Sequence, residues 1–157
     1  MGKKSKADNA TRSISEALNG LLADYYALYL KTKNFHWHVR GPHFRDYHLL
    51  FDEQAGQILL TTDAVAERVR KLGQTTLRSI GDISRRQTIK DNDAEIVTAK
   101  SMLGILQADN ENMVTSLKEI KALVDEAGDN ATSGVIDQWT DEAERRAWFL
   151  KESVDNG

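Results

Sequence analysis

Four times along this chain apolar side chains return at steps of three and four residues, and no segment alternates every second position. That period is the stripe of an amphipathic helix, which must lay one face against a partner to leave water. Ile14, Leu18, Leu21, Tyr25, Leu28 and Thr32 make the first stripe. Tyr47, Phe51, Ala55, Ile58, Thr62, Val65 and Val69 make the second, in a helix expected from about Phe44 to Leu72. Leu103, Leu106, Met113, Leu117, Ile120 and Val124 make the third. Val135, Ile136, Trp139, Ala143, Ala147 and Leu150 make the fourth.

Punctuation agrees with four rods. Ser13-x-x-Glu16 has the pattern of a capping box at the start of the first. Arg68, Arg70 and Lys71 suit the last turn of the second, and Gly73 suits its C-cap. Residues 74–90 read as a connection with a short helix embedded, because Leu77, Ile80 and Ile83 recur every three positions. Acidic residues at 91–93 suit the opening of the third long helix, Gly128 its end, and Thr132 the start of the fourth. The expected fold is all-α: a four-helix bundle with a short extra helix in the crossover between helices two and three.

The chain has 157 residues, the length of one domain, expected over 13–157. It lacks cysteine, which excludes disulfides and thiolate metal sites. No apolar run nears the roughly 20 residues of a membrane helix, and the first residues lack the apolar core of a signal peptide, so a cytoplasmic protein is expected. Net charge is −3, but Lys3, Lys4, Lys6 and Arg12 against Asp8 give residues 1–12 a charge of +3 and leave −6 on the rest. Residues 1–12 read as a flexible basic tail on an acidic body.

All four histidines lie between positions 36 and 48. His48 and Asp52 are four apart on the second helix, and so are Asp63 and Glu67, so each pair shares a face. Asp52 and Asp63 are eleven residues apart, about 16 Å at the helical rise of ~1.5 Å per residue. One ion with ligand bonds of about 2 Å cannot be held by both pairs of one helix. Either the pairs are unrelated solvated charges or they meet through a second subunit. The numbering favours the second option. Positions 48 and 67 share a midpoint between Gln57 and Ile58, as do 52 and 63. A two-fold axis there lays two copies of the helix antiparallel, with His48 facing the other copy's Glu67 and Asp52 its Asp63. A hairpin turning at Pro42 brings His36 level with His48. Two imidazoles and three carboxylates suit Fe(II) or Mn(II), and also accept Zn(II).

The segments FHWHVRGPHFRDYHLLFD (35–52) and TTDAVAERVRKLG (61–73) resemble the signature of the Dps proteins, mini-ferritins named for binding DNA in starved cells. The likeness spans about Ser13 to Val154, and His36, His48, Asp52, Asp63 and Glu67 match the family's five ferroxidase ligands. The resemblance implies a ferritin-like bundle assembled as a twelve-subunit shell from two-fold dimers. It also implies Fe(II) oxidation at the dimer interface, preferentially by hydrogen peroxide, and storage of Fe(III) oxide inside, sparing DNA from radicals. Iron is the implied metal. Trp37 would stand beside the site as a radical trap or, more simply, as core. Glu53 would face the cavity as an iron-nucleation carboxylate. Asp137 and Asp141 would line an acidic three-fold pore, although Gly134 stands where a family carboxylate is expected. His38 and His43 read as surface residues. Lys3, Lys4, Lys6 and Arg12 would supply non-specific DNA binding, as in some relatives, multiplied over many copies. The alternative is a nucleoid-compacting protein whose metal site is vestigial. Ferritin-like enzymes with their metals inside the bundle fit poorly, because they use Glu-x-x-His and no histidine here has a glutamate three positions before it.

Overall fold

The computed structural model describes residues 2–154, with only the backbone for residues 2–5. Helices run over Gly2–His38 (α1), Phe44–Lys71 (α2), Ile80–Arg86 (α3), Ala99–Glu126 (α4) and Asn130–Val154 (α5). There is no strand among the described residues. α1 and α2 form one antiparallel hairpin and α4 and α5 another, with α4 also packed on α1 and α3 laid across α1. This is the expected four-helix bundle with a short helix in its crossover.

The four stripes meet in one core. Leu18, Leu28, Phe51, Ile58, Leu106, Leu117, Ile136 and Leu150 are wholly shielded from water. Each such side chain contributes about 1.5–3 kcal/mol relative to exposure. Glycines at positive φ shape the reversals at Gly41 and Gly128 and the start of the crossover at Gly73. Gly41 turns α1 into α2 at φ +123°, where a side chain would be strained. Gly73 ends α2 at φ +83°, with the Gln74 amide donating to the Val69 carbonyl at 3.3 Å.

Two helix starts differ from the sequence expectation. α1 begins at Gly2 and runs straight through Ser13, so Ser13 and Glu16 form no cap. No proline or glycine interrupts residues 3–19, and Ala7 and Ala10 favour helix, so the expected tail continues the rod. The side chains of Lys3 and Lys4 lie outside the described residues; Lys6 and Arg12 are exposed on α1. α4 begins at Ala99 rather than at 91–93, capped by Thr98, whose hydroxyl accepts the Ser101 amide at 3.1 Å. The acids at 91–93 instead belong to the crossover, where Gln87 donates to Asp91 at 2.9 Å. The crossover is pinned to α1 by buried Asp24, which accepts the amides of Thr88 and Ile89 at 2.7 and 2.9 Å. Its shape is therefore set by contacts remote in sequence.

A cation sits at the middle of the bundle. Arg146 of α5 is buried, with Nε donating to Asn110 of α4 at 2.7 Å and Nη1 donating to Gln57 of α2 at 2.8 Å. Burial lowers the Arg146 pKa and pushes the neighbouring Tyr25 phenol up to about 12.

Candidate metal centre

The α1–α2 hairpin brings His36 and His48 level, as a turn at Pro42 requires. Their rings stack with centroids 3.8 Å apart and planes 16° from parallel. Each backbone holds the other's ring: His36 Nδ1 lies 2.6 Å from the His48 carbonyl, and His48 Nδ1 lies 2.7 Å from the His36 carbonyl. A carbonyl only accepts, so each Nδ1 is the donor, and in the neutral ring the lone pair falls on Nε2. This is the second-sphere hydrogen bond that aims a metal-binding histidine. Phe44 stacks on His48 from the far side, 4.9 Å between centroids. Asp52, one turn along α2 from His48, places Oδ1 3.7 Å from His36 Nε2.

Lys33 enters this group, and the sequence reading did not anticipate it. Its Nζ donates to Asp52 Oδ1 at 2.8 Å. The Lys33 hydrogen bond holds the Asp52 carboxyl below its ordinary range, so Asp52 is a carboxylate at neutral pH. Lys33 Nζ also lies 5.7 Å from the centre of the Trp37 ring. Lys33 stands three residues before His36 and thus on the same face, a spacing signal present in the sequence.

Asp63 and Glu67 are exposed, further along α2. Among the described residues, no three histidine, aspartate or glutamate side chains of one chain converge on a single metal position. The strip of α2 between the two groups is also turned outward: Leu59 and Leu60 are 42% and 79% exposed and Gly56 is exposed, with Leu49, 50% exposed, beside His48.

The remaining candidates divide. Trp37 is 57% exposed, so the simpler reading of it as core is corrected: the indole lines an open concave surface between the end of α1 and crossover residues 92–97. His38 and His43 are exposed as expected. Glu53 is exposed beside Gln57, Arg145 and Arg146 on the rim of a small cavity between α2 and α5. Asp137 pairs with Lys121 of α4 at 2.8 Å, whereas Asp141 is exposed without an ion pair among the described residues.

Residues 15–157 match the ferritin-like domain family. The fold aligns with the X-ray structure of Dps from Thermosynechococcus elongatus at a TM-score of 0.93 and 28% identity, covering 97% of this chain and 96% of that one. The chain belongs to the Dps branch of the ferritin-like family. An uncharacterised low temperature-induced protein of Nostoc sp. is 32% identical over 94% of this chain and 83% of its own length. DNA protection during starvation protein 1 of Deinococcus radiodurans is 29% identical over 92% of this chain and 70% of its own. The Dps protein of Vibrio cholerae O1, described as a member of a superfamily of ferritin-like diiron-carboxylate proteins, aligns at a TM-score of 0.89 with 26% identity, covering 94% of this chain and 92% of that one. No described helix is long and apolar enough to cross a membrane.

Proposed function

We propose that this Dps-family chain is a ferroxidase that stores iron and protects DNA, with each oxidation site shared between two copies. His36, His48 and Asp52 of one copy would bind Fe(II) together with Asp63 and Glu67 of the partner subunit. The observation that carries this reading is the reciprocal clamp of His36 and His48, which leaves both Nε2 atoms available beside an ionised Asp52. The exposed strip Leu49–Gly56–Leu59–Leu60 supplies an apolar, closely approachable seam for the antiparallel partner helix.

Iron is substrate and cargo here. Two Fe(II) ions give one electron each to hydrogen peroxide, which takes up two protons and leaves as two waters. Carboxylates and imidazoles without thiolate hold the ions loosely enough for Fe(III) to move on. A cytoplasmic shell of twelve copies built from these dimers would keep the oxide inside, with Glu53 as a nucleation carboxylate. Consuming Fe(II) and peroxide together lowers radical production near DNA.

Direct DNA binding is a second reading, supported by exposed Lys6 and Arg12 on the leading turns of α1. Deleting residues 1–12 separates the two: retained iron oxidation with lost DNA compaction leaves the ferroxidase intact. The central test loads Fe(II) anaerobically and then adds peroxide. Wild type should oxidise iron rapidly with little hydroxyl radical, and Asp63→Ala should be slower by about tenfold or more. Equal rates would remove the shared site from the chemistry.

A further inference from the structure

At one end of the bundle, the α1–α2 turn, the start of α4 and the end of α5 border an open surface cavity of about 190 Å³. Arg40 and His43 enter its wall from the turn and Lys100 from the first turn of α4. Among the described residues, none that lines it is acidic. The other concave surfaces differ: Asp93 and Glu95 line the one beside Trp37, and Glu53 the one beside Arg146. The chain as a whole has 24 acidic and 21 basic residues, so a small wall with three basic side chains and no acid runs against its composition.

Among the described residues, none of Arg40, His43 and Lys100 takes part in an ion pair. Arg40, His43 and Lys100 are all exposed, so their polar ends are accessible to an ion entering from solvent. The volume is below the roughly 300–1,000 Å³ of pockets for drug-sized molecules, and it suits a small ion. At its floor the Tyr47 hydroxyl reaches the Ser153 carbonyl in a long hydrogen bond of 3.4 Å, between α2 and the end of α5.

We propose that this cavity binds a phosphate oxyanion, with the Arg40 guanidinium and the Lys100 ammonium as its principal partners and the His43 imidazole as a further donor. Guanidinium and ammonium donors make short, charge-assisted bonds to phosphate oxygens. The phosphate has two possible sources, free inorganic phosphate and the phosphodiester backbone of DNA. Nothing in this site depends on the iron chemistry, and none of its residues belongs to the metal centre.

The test uses the full-length protein, titrated calorimetrically with inorganic phosphate and, by fluorescence anisotropy, with a short DNA duplex. Arg40→Gln/Lys100→Gln is compared with wild type and with Lys6→Gln/Arg12→Gln. Saturable phosphate uptake by wild type should weaken at least about tenfold in the first variant, with helicity and iron oxidation unchanged. A parallel loss of duplex affinity that is absent from the Lys6/Arg12 variant assigns the site to DNA phosphate. Duplex binding that is unchanged alongside lost phosphate uptake assigns it to the free ion. Equal phosphate affinity in wild type and variant, or no phosphate uptake together with unchanged duplex binding, overturns the proposal. Should the double variant lose helicity, Lys100→Gln alone carries the same comparison with a smaller effect.

Discussion

The two long faces of α2 have opposite fates. On one, Phe51, Ala55, Ile58, Val65 and Val69 are sealed completely inside the chain's own core. On the other, Leu59 and Leu60 remain in water, flanked by Asp52 on one side and by Asp63 and Glu67 on the other, with exposed Leu49 beyond Asp52. The inner stripe is mainly apolar, and its buried polar members Gln54, Thr61 and Thr62 all hydrogen-bond backbone carbonyls. The outer stripe is apolar at its centre and acidic at both ends, nearly symmetric about residues 57 and 58. A single helix thus carries one face that completes the fold and one that the fold leaves over. The leftover face has the pattern expected of a self-complementary two-fold contact.

The comparison breaks hardest on the inner face. Phe51→Ala should cost about 3–5 kcal/mol of folding free energy, read by chemical denaturation, because a fully buried ring leaves a cavity. On the outer face, Leu60→Asp should leave helicity and the single chain's stability nearly unchanged. Sedimentation should instead show dimers weakened at least about tenfold, since a carboxylate would enter the seam close to Asp63. Iron oxidation should fall in step with dimer content. A fully assembled, fully active Leu60→Asp protein would move the interface away from α2.

The smallest effect concerns Lys33→Met, which removes the partner of Asp52 without touching either imidazole. The Asp52 pKa should return toward its ordinary value of 3.8, seen by carbon-detected NMR titration. A depressed carboxyl pKa adds stability above the unfolded value, and that stability is lost as pH falls through the folded value. The variant should therefore melt slightly below wild type at pH 7, by about 2 °C or less for a pair this exposed, and no lower than wild type at pH 2. A uniform difference across that range would mean that Lys33 acts through packing rather than through Asp52.

Much of this was legible in the sequence because helices write their inner face at a fixed period. Every stripe residue of the first helix, from Ile14 to Thr32, is buried as its spacing required. The level of His36 with His48 followed from the position of Pro42, since a tight hairpin leaves little freedom of register. Helix starts were harder to read. Thr98, not the acids at 91–93, caps α4, because Asp24 draws residues 88–89 onto α1 and holds the crossover extended. That contact joins positions 64 and 65 residues apart, which local pattern does not encode. Arg146 was overlooked because charged residues are expected outside. Its place among Trp139, Ala143 and Leu150 on the α5 stripe was the signal that it faces the core.

The shared site is tested most directly by mixing two impaired chains. His48→Ala breaks the imidazole half of every site, and Asp63→Ala breaks the carboxylate half. Co-refolded at equal concentration, half of the dimers should be mixed, and one of the two sites in each mixed dimer should be whole. Peroxide-dependent Fe(II) oxidation should then return to about a quarter of wild type. If mixed dimers form and the mixture stays as impaired as its parents, the halves do not meet across two chains.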